Sequence, residues 1–143
     1  TKDEFGYTLP AYIFANGAKI WYLNGFQHNN DIDDNGNNMP SCISTTLHEW
    51  RQHGVLHRDA NINNEILPAI IRFKNNKIVT QRWYRHGSLH RDNDLPAVIE
   101  KDKQEWWQNG LLHRNVYIDC ILQPAIVSPN ISECHISGTK IQQ

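Results

Sequence analysis

Histidine recurs in this chain at a spacing that invites a chemical reading. Eight histidines fall within 143 residues, and four of them, His28, His57, His90 and His113, each stand seven residues after a tryptophan. Three continue to arginine (Arg58, Arg91, Arg114), and two of those continue to aspartate (Asp59, Asp92). Imidazole beside carboxylate is the raw material of general acid–base catalysis and of metal ligation. His-Arg-Asp is also the order found in a phosphoryl-transfer catalytic loop, most fully in the stretch HRDNDLP at 90–96.

Each of these chemistries fails on the pattern. The triplet recurs unit by unit, no Gly-rich phosphate loop or Asp-Phe-Gly accompanies it, and the chain is too short for a two-lobed kinase. The four histidines occupy equivalent places, so a constant translation separates them and they do not converge on one ion. Cys120, Cys134, His135 and His113 match no common zinc spacing. No Gly-x-Ser-x-Gly or cysteine-protease signature is present, and Ser88 is replaced at the matching positions by Phe26, Val55 and Leu111. The expectation is a chain with no catalytic residues, no metal ligands and no cofactor, hence not an enzyme.

One stretch carries a binding signal. Residues 72–91 hold six basic side chains (Arg72, Lys74, Lys77, Arg82, Arg85, Arg91) and no acidic one, interleaved with Phe73, Trp83 and Tyr84. The whole chain has a net charge of −1, which argues against general nucleic-acid binding, yet residues 48–100 sum to +2. A basic hairpin with aromatics can grip a phosphate backbone and stack bases. The competing reading makes the cations a solvated sheet face and Trp83 simply this unit's member of an aromatic ladder. The same patch also suits an acidic protein.

What must position these residues is a repeat. Pro10, Pro40, Pro68, Pro96 and Pro124 lie 30, 28, 28 and 28 residues apart. A second block also recurs: Trp21-Gly25-His28, Trp50-Gly54-His57, Trp83-Gly87-His90 and Trp106-Gly110-His113. The units run approximately over 9–38, 39–66, 67–94 and 95–122, followed by a degenerate C-terminal cap at 123–143. In that cap Cys134 takes the tryptophan place, Gly138 is kept and Ile141 replaces histidine. Terminal repeats commonly diverge in this way. The joints between blocks vary in length and read as surface loops. The third unit carries five extra residues in its first hairpin. Residues 1–8 resemble the tail of a preceding loop, as in a piece of a longer array.

Each unit reads as two or three short antiparallel strands. The β-branched run PAVIE is followed by polar turn residues, an aromatic segment, Asn109-Gly110 and another short strand. Asn24-Gly25, His53-Gly54 and His86-Gly87 are the matching turns. No segment has a sustained 3.6-residue apolar period. The expected fold is all-β: about five units of ~28 residues stacked into one elongated, twisted antiparallel sheet, with the tryptophans as an aromatic ladder. In such an array histidine can hydrogen-bond backbone in the next turn, arginine can lie over a tryptophan ring, and aspartate can close the loop.

The stretch Trp107 to His113, W-Q-N-G-L-L-H, resembles the core of MORN-type repeats, with Tyr22, Arg51 and Tyr84 in the aromatic slot of the other units. The Arg-Asp and Leu-Pro-Ala that follow depart from MORN glycines. They resemble a repeat type abundant in amoeba-infecting giant DNA viruses, a likeness in keeping with 16 Asn and 16 Ile. The resemblance spans about residues 9–127. It implies an elongated β scaffold for protein contacts or self-association, virion-associated or interacting with a host, and it supplies no catalytic residue. Three cysteines without a C-x-x-C pair suggest a reducing, intracellular setting, in a virion or host cytoplasm if the chain is viral. No apolar run is long enough for a membrane span.

Overall fold

The computed structural model describes residues 1–142; residue 143, the last of the fifth expected unit, lies outside the described residues. The chain is all-β. The first unit supplies β1 (Tyr12–Ile13), β2 (Lys19–Ile20), β3 (Tyr22–Leu23) and β4 (Phe26–Gln27). The second supplies β5 (Cys42–Ile43), β6 (Leu47–Glu49), β7 (Arg51–Gln52) and β8 (Val55–Leu56). From the third come β9 (Ile70–Lys74), β10 (Lys77–Arg82), β11 (Tyr84–Arg85) and β12 (Ser88–Leu89). The fourth contains β13 (Val98–Glu100), β14 (Lys103–Glu105), β15 (Trp107–Gln108) and β16 (Leu111–Leu112), then an extra hairpin, β17 (Tyr117–Ile118) with β18 (Ile121–Leu122). The fifth has β19 (Ile126–Ser128), β20 (Ile131–Ile136) and β21 (Thr139–Ile141).

Eleven strands form one antiparallel sheet in the order β1-β2-β5-β6-β9-β10-β13-β14-β19-β20-β21, and the other ten make five separate two-stranded hairpins. At about 4.8 Å between strands, the ten from β1 to β20 extend the sheet over roughly 45 Å. A complete unit therefore holds four strands, not two or three: one hairpin in the long sheet and one short hairpin beside it. The physical reason is the residue between them. The backbone N–H groups of Trp21, Trp50, Trp83 and Trp106 each leave their own unit to donate to the carbonyl of Ser41, Ala69, Ala97 and Ala125, all at 2.9 Å. The ladder breaks there and the chain leaves the sheet. In the fifth unit β20 runs straight through this point: its first half pairs with β19 and its second half with β21.

The short hairpins turn on Asn24-Gly25, His53-Gly54, His86-Gly87, Asn109-Gly110 and Ser137-Gly138, every residue with positive φ. Two successive positive φ values define the tight turn whose twist matches antiparallel strands, and a glycine in the second place adopts it at no steric cost.

The core lies where these elements meet. The four repeated tryptophans, Trp21, Trp50, Trp83 and Trp106, are 4–8% exposed, and Ser41, Ala69, Ala97 and Ala125, each directly after the unit's proline, are buried almost completely. A side chain no larger than these suits a backbone bonded on both sides: Ala97, for example, donates to Glu105 O while its own carbonyl accepts from Trp83. Each indole Nε1 donates to a carbonyl two residues before the unit's proline: Thr8 and Asn38 at 2.7 Å, Ile66 at 2.9 Å and Asp94 at 3.0 Å. Cys134 makes the same bond from its Sγ to Leu122 O at 3.5 Å.

The expected aromatic ladder is not formed. Among the described residues no tryptophan ring packs against another. Successive units sit two strands, or about 9.6 Å, apart, beyond the range of ring pairing. Arginine fills the gap: Arg58, Arg91 and Arg114 lie over Trp50, Trp83 and Trp106, with guanidinium carbons 3.9, 3.7 and 4.1 Å from the ring centroids.

Candidate interaction surfaces

The recurring polar residues are spent on joining unit to unit. Arg58, Arg91 and Arg114 donate to the carbonyls of Pro68, Pro96 and Pro124 in the following unit at 3.1–3.2 Å, and Asn29 reaches Pro40 O in the first. Burial under the neighbouring unit lowers the pKa of Arg58 to about 10 and shifts that of Arg91 in the same direction. Nδ1 of His28, His57, His90 and His113 accepts the backbone N–H of His53, His86, Asn109 and Ser137, the first turn residue of the next short hairpin, at 2.9–3.1 Å. An accepting Nδ1 leaves the proton of a neutral ring on Nε2. That Nε2 faces Asp59 Oδ1 from His57 at 3.1 Å, Asp92 Oδ1 from His90 at 2.9 Å, and Asn30 Oδ1 from His28. The glycine N–H groups add a further tie: Gly54, Gly87, Gly110 and Gly138 donate to Gln27, Leu56, Leu89 and Leu112 of the preceding unit.

Groups once weighed for metal are likewise engaged. Cys134 bonds Leu122 O, His135 Nε2 meets Glu133 at 3.1 Å, and His113 accepts from Ser137. Among the described residues no three His, Cys, Asp or Glu side chains gather for an ion.

The basic stretch divides when folded. Trp83 is 4% exposed and belongs to the core, and the half-buried Arg91 covers its ring. Arg82 pairs with Glu100 at 3.1 Å and Arg85 with Asp92 at 3.2 Å. Tyr84 is half-buried in a short hairpin paired with Leu89, and Phe73 packs its ring against His48. Arg72, Lys74 and Lys77 remain exposed, and among the described residues no carboxylate pairs with them. The register sets Lys74 opposite Lys77 and Arg72 opposite Thr80, so alternation puts all three on one face of the β9–β10 hairpin. An irregularity between Ile78 and Thr80 accommodates Val79 as an extra residue. Residues 70–72 pair with β6, Phe73 N–H adds a bond to Thr46 O at 2.9 Å, and only 80–82 pair with β13, so the hairpin from Lys74 to Lys77 stands clear of neighbouring strands.

A different surface runs over the short hairpins. Phe26, Val55 and Leu111, each directly after the turn glycine, are 54, 44 and 49% exposed. Each touches the place where a Cβ on the next unit's turn glycine would stand, or, at Leu111, on Gly138. Together with Ser88 they form a row from unit to unit.

Two structures were missed from sequence. Asp3, Asp33 and Asn61 each accept two backbone N–H bonds on Oδ1 from residues two and four further on, closing three loops of the same form seven residues before a proline. The spacing of these residues to Pro10, Pro40 and Pro68 was the available signal. The β17–β18 hairpin turns on Asp119-Cys120, both at positive φ and neither a glycine, and had no such signal.

In comparison with known proteins, the chain matches no family model, no curated protein and no solved structure.

Proposed function

We infer that this chain is a non-enzymatic, MORN-like β-repeat scaffold that works through protein contacts, self-association included. The observation that carries the reading is the half-exposed apolar row Phe26, Val55 and Leu111 along the outer hairpins. Exposed apolar side chains repeated along one line, broken only at Ser88, suit a contact site. The recurring histidines, arginines and tryptophans are bound to neighbouring units, which leaves the outer side chains to define a partner. Resemblance to repeat proteins of giant DNA viruses supports a virion-associated or host-cytoplasmic role. The test replaces Phe26, Val55 and Leu111 with Ser and follows sedimentation velocity together with photo-crosslinking from position 88, in the same row. The scaffold reading expects self-assembly or one defined crosslinked partner that the triple variant loses while its melt stays near wild type. Equal behaviour of the two proteins would refute the role of the row.

A second reading is favoured by one specific observation: Arg72, Lys74 and Lys77 share one face without acidic partners. Such a face suits a polyanion, nucleic acid first among them.

A further inference from the structure

The inserted hairpin of the third unit is the one place where the array departs from its own plan in a direction that has chemistry. β9 and β10 are five and six residues long, against two or three for the long-sheet strands of the first, second and fourth units. Their last register pair, Lys74–Lys77, lies beyond the final backbone tie to the neighbouring hairpin, Phe73 N–H to Thr46 O at 2.9 Å, and carries no neighbouring strand on either side. The ribbon thus projects by one register pair, about 3.4 Å of rise, with the turn beyond it. Lys74 directly opposite Lys77 is a like-charge cross-strand pair, an arrangement that costs stability when left uncompensated. The nearest carboxylate in register, Glu100 opposite Thr80, is already taken by Arg82. The turn itself is Asn75-Asn76, both at positive φ and both exposed.

We propose that the β9–β10 ribbon enters the major groove of double-stranded DNA, with Arg72, Lys74 and Lys77 on phosphates and Asn75 and Asn76 at base edges. This deepens the second reading above and rests on it. The major groove of B-form DNA admits a two-stranded β-ribbon, and asparagine amides suit the donor–acceptor edge of adenine there. Base stacking on single strands has no platform, because Trp83 is in the core and Phe73 lies against His48. Duplex RNA has a major groove too narrow for a ribbon. Insertion into a bilayer is disfavoured by the two amide side chains at the tip, with the exposed Ile78 on the face opposite the lysines.

The test is fluorescence anisotropy of the whole chain against a labelled 20-base-pair DNA duplex, the matching single strand and an RNA duplex of the same sequence. Three phosphate contacts predict a logarithmic salt slope near −2.7, so affinity for DNA duplex falls about 40-fold between ~50 and ~200 mM salt. K74E/K77E abolishes binding while circular dichroism and melting stay unchanged, since the tip has no neighbouring strand. N75A/N76A keeps the salt slope and loses preference among randomised duplexes. Duplex binding that survives K74E/K77E, or single strands bound as tightly as duplex, overturns the groove assignment and leaves nucleic-acid binding in place. Binding to no nucleic acid at either salt overturns both, and acidic proteins then become the partners to pursue.

Discussion

The backbone N–H of Asn109 donates to Nδ1 of His90 at 3.0 Å, across the boundary between the third and fourth units, while the other nitrogen of the same ring faces Asp92 at 2.9 Å. One imidazole thus reads two neighbours at once, and its two nitrogens have different roles. The same Nδ1 bond at His28, His57 and His113 makes histidine the residue that holds successive hairpins in step.

The tautomer is therefore fixed by geometry. Long-range proton–nitrogen NMR near pH 8 should find His28, His57, His90 and His113 in the form protonated on Nε2. A set protonated on Nδ1 would contradict the inter-unit bond.

Replacing His90 with Ala should leave the Asn109 N–H without its acceptor under a buried ring position, costing about 1–3 kcal/mol in urea melts. A His90→Gln variant, able to accept, should recover part of the loss; no difference between the two would show that packing alone is at work.

Trp83→Ala and Trp106→Ala should each cost on the order of 3–5 kcal/mol, since both rings are buried under a guanidinium. Arg91→Lys loses the planar stack and the forked donor to Pro96, with an expected cost of about 1–2 kcal/mol. Losses below ~1 kcal/mol for both tryptophan variants would rule out the indole–guanidinium core.

The turn glycines separate two effects. Gly25 and Gly87 both sit near φ +80°, but a Cβ at Gly25 meets nothing within 4 Å whereas one at Gly87 stands 3.0 Å from Val55 Cγ1. Gly25→Ala should then cost about 1 kcal/mol from backbone strain alone, and Gly87→Ala measurably more. Pairing Gly87→Ala with Val55→Ala should remove the difference.

Acid should weaken the fold in two stages. Burial against Phe73 and Trp50 lowers the pKa of His48 below its ordinary 6.5, so the unfolded chain takes up this proton first. Its contribution is complete above pH 6.5 and declines as pH falls from there towards the depressed folded value. Asp33, held below its ordinary 3.8 by bonds from Asn37, and Glu133, held below 4.5 by bonds from Lys140 and His135, contribute above those values and lose it further down. Urea melts across pH 8 to 3 should show both stages, and His48→Gln should remove the first only.

Much of this architecture was legible because the repeating residues are the ones that make repeating bonds. Glycine after Asn or His marked the short turn in each of the first four units, and His-Arg after the second short strand marked the joins that follow the second, third and fourth. The fourth strand per unit was hidden because two-residue strands carry no alternation to read, and the break at Trp83 or Trp106 is made by a carbonyl 14 or 19 residues further on. The tryptophan ladder misled for a related reason: equal spacing in sequence says nothing about whether rings are one strand or two apart. The basic stretch looked continuous in sequence, yet Glu100 and Asp92, which neutralise Arg82 and Arg85, come from outside or beyond its run.

The histidine, arginine, tryptophan and glycine ties each run only to an adjacent unit, so tension applied between the ends is borne in series by one set of joints after another. Stretched, the molecule should yield in discrete steps, each releasing about 28 residues, or roughly 90 Å of slack. Length would then be let out in fixed strokes under load, and force–extension traces would show evenly spaced drops.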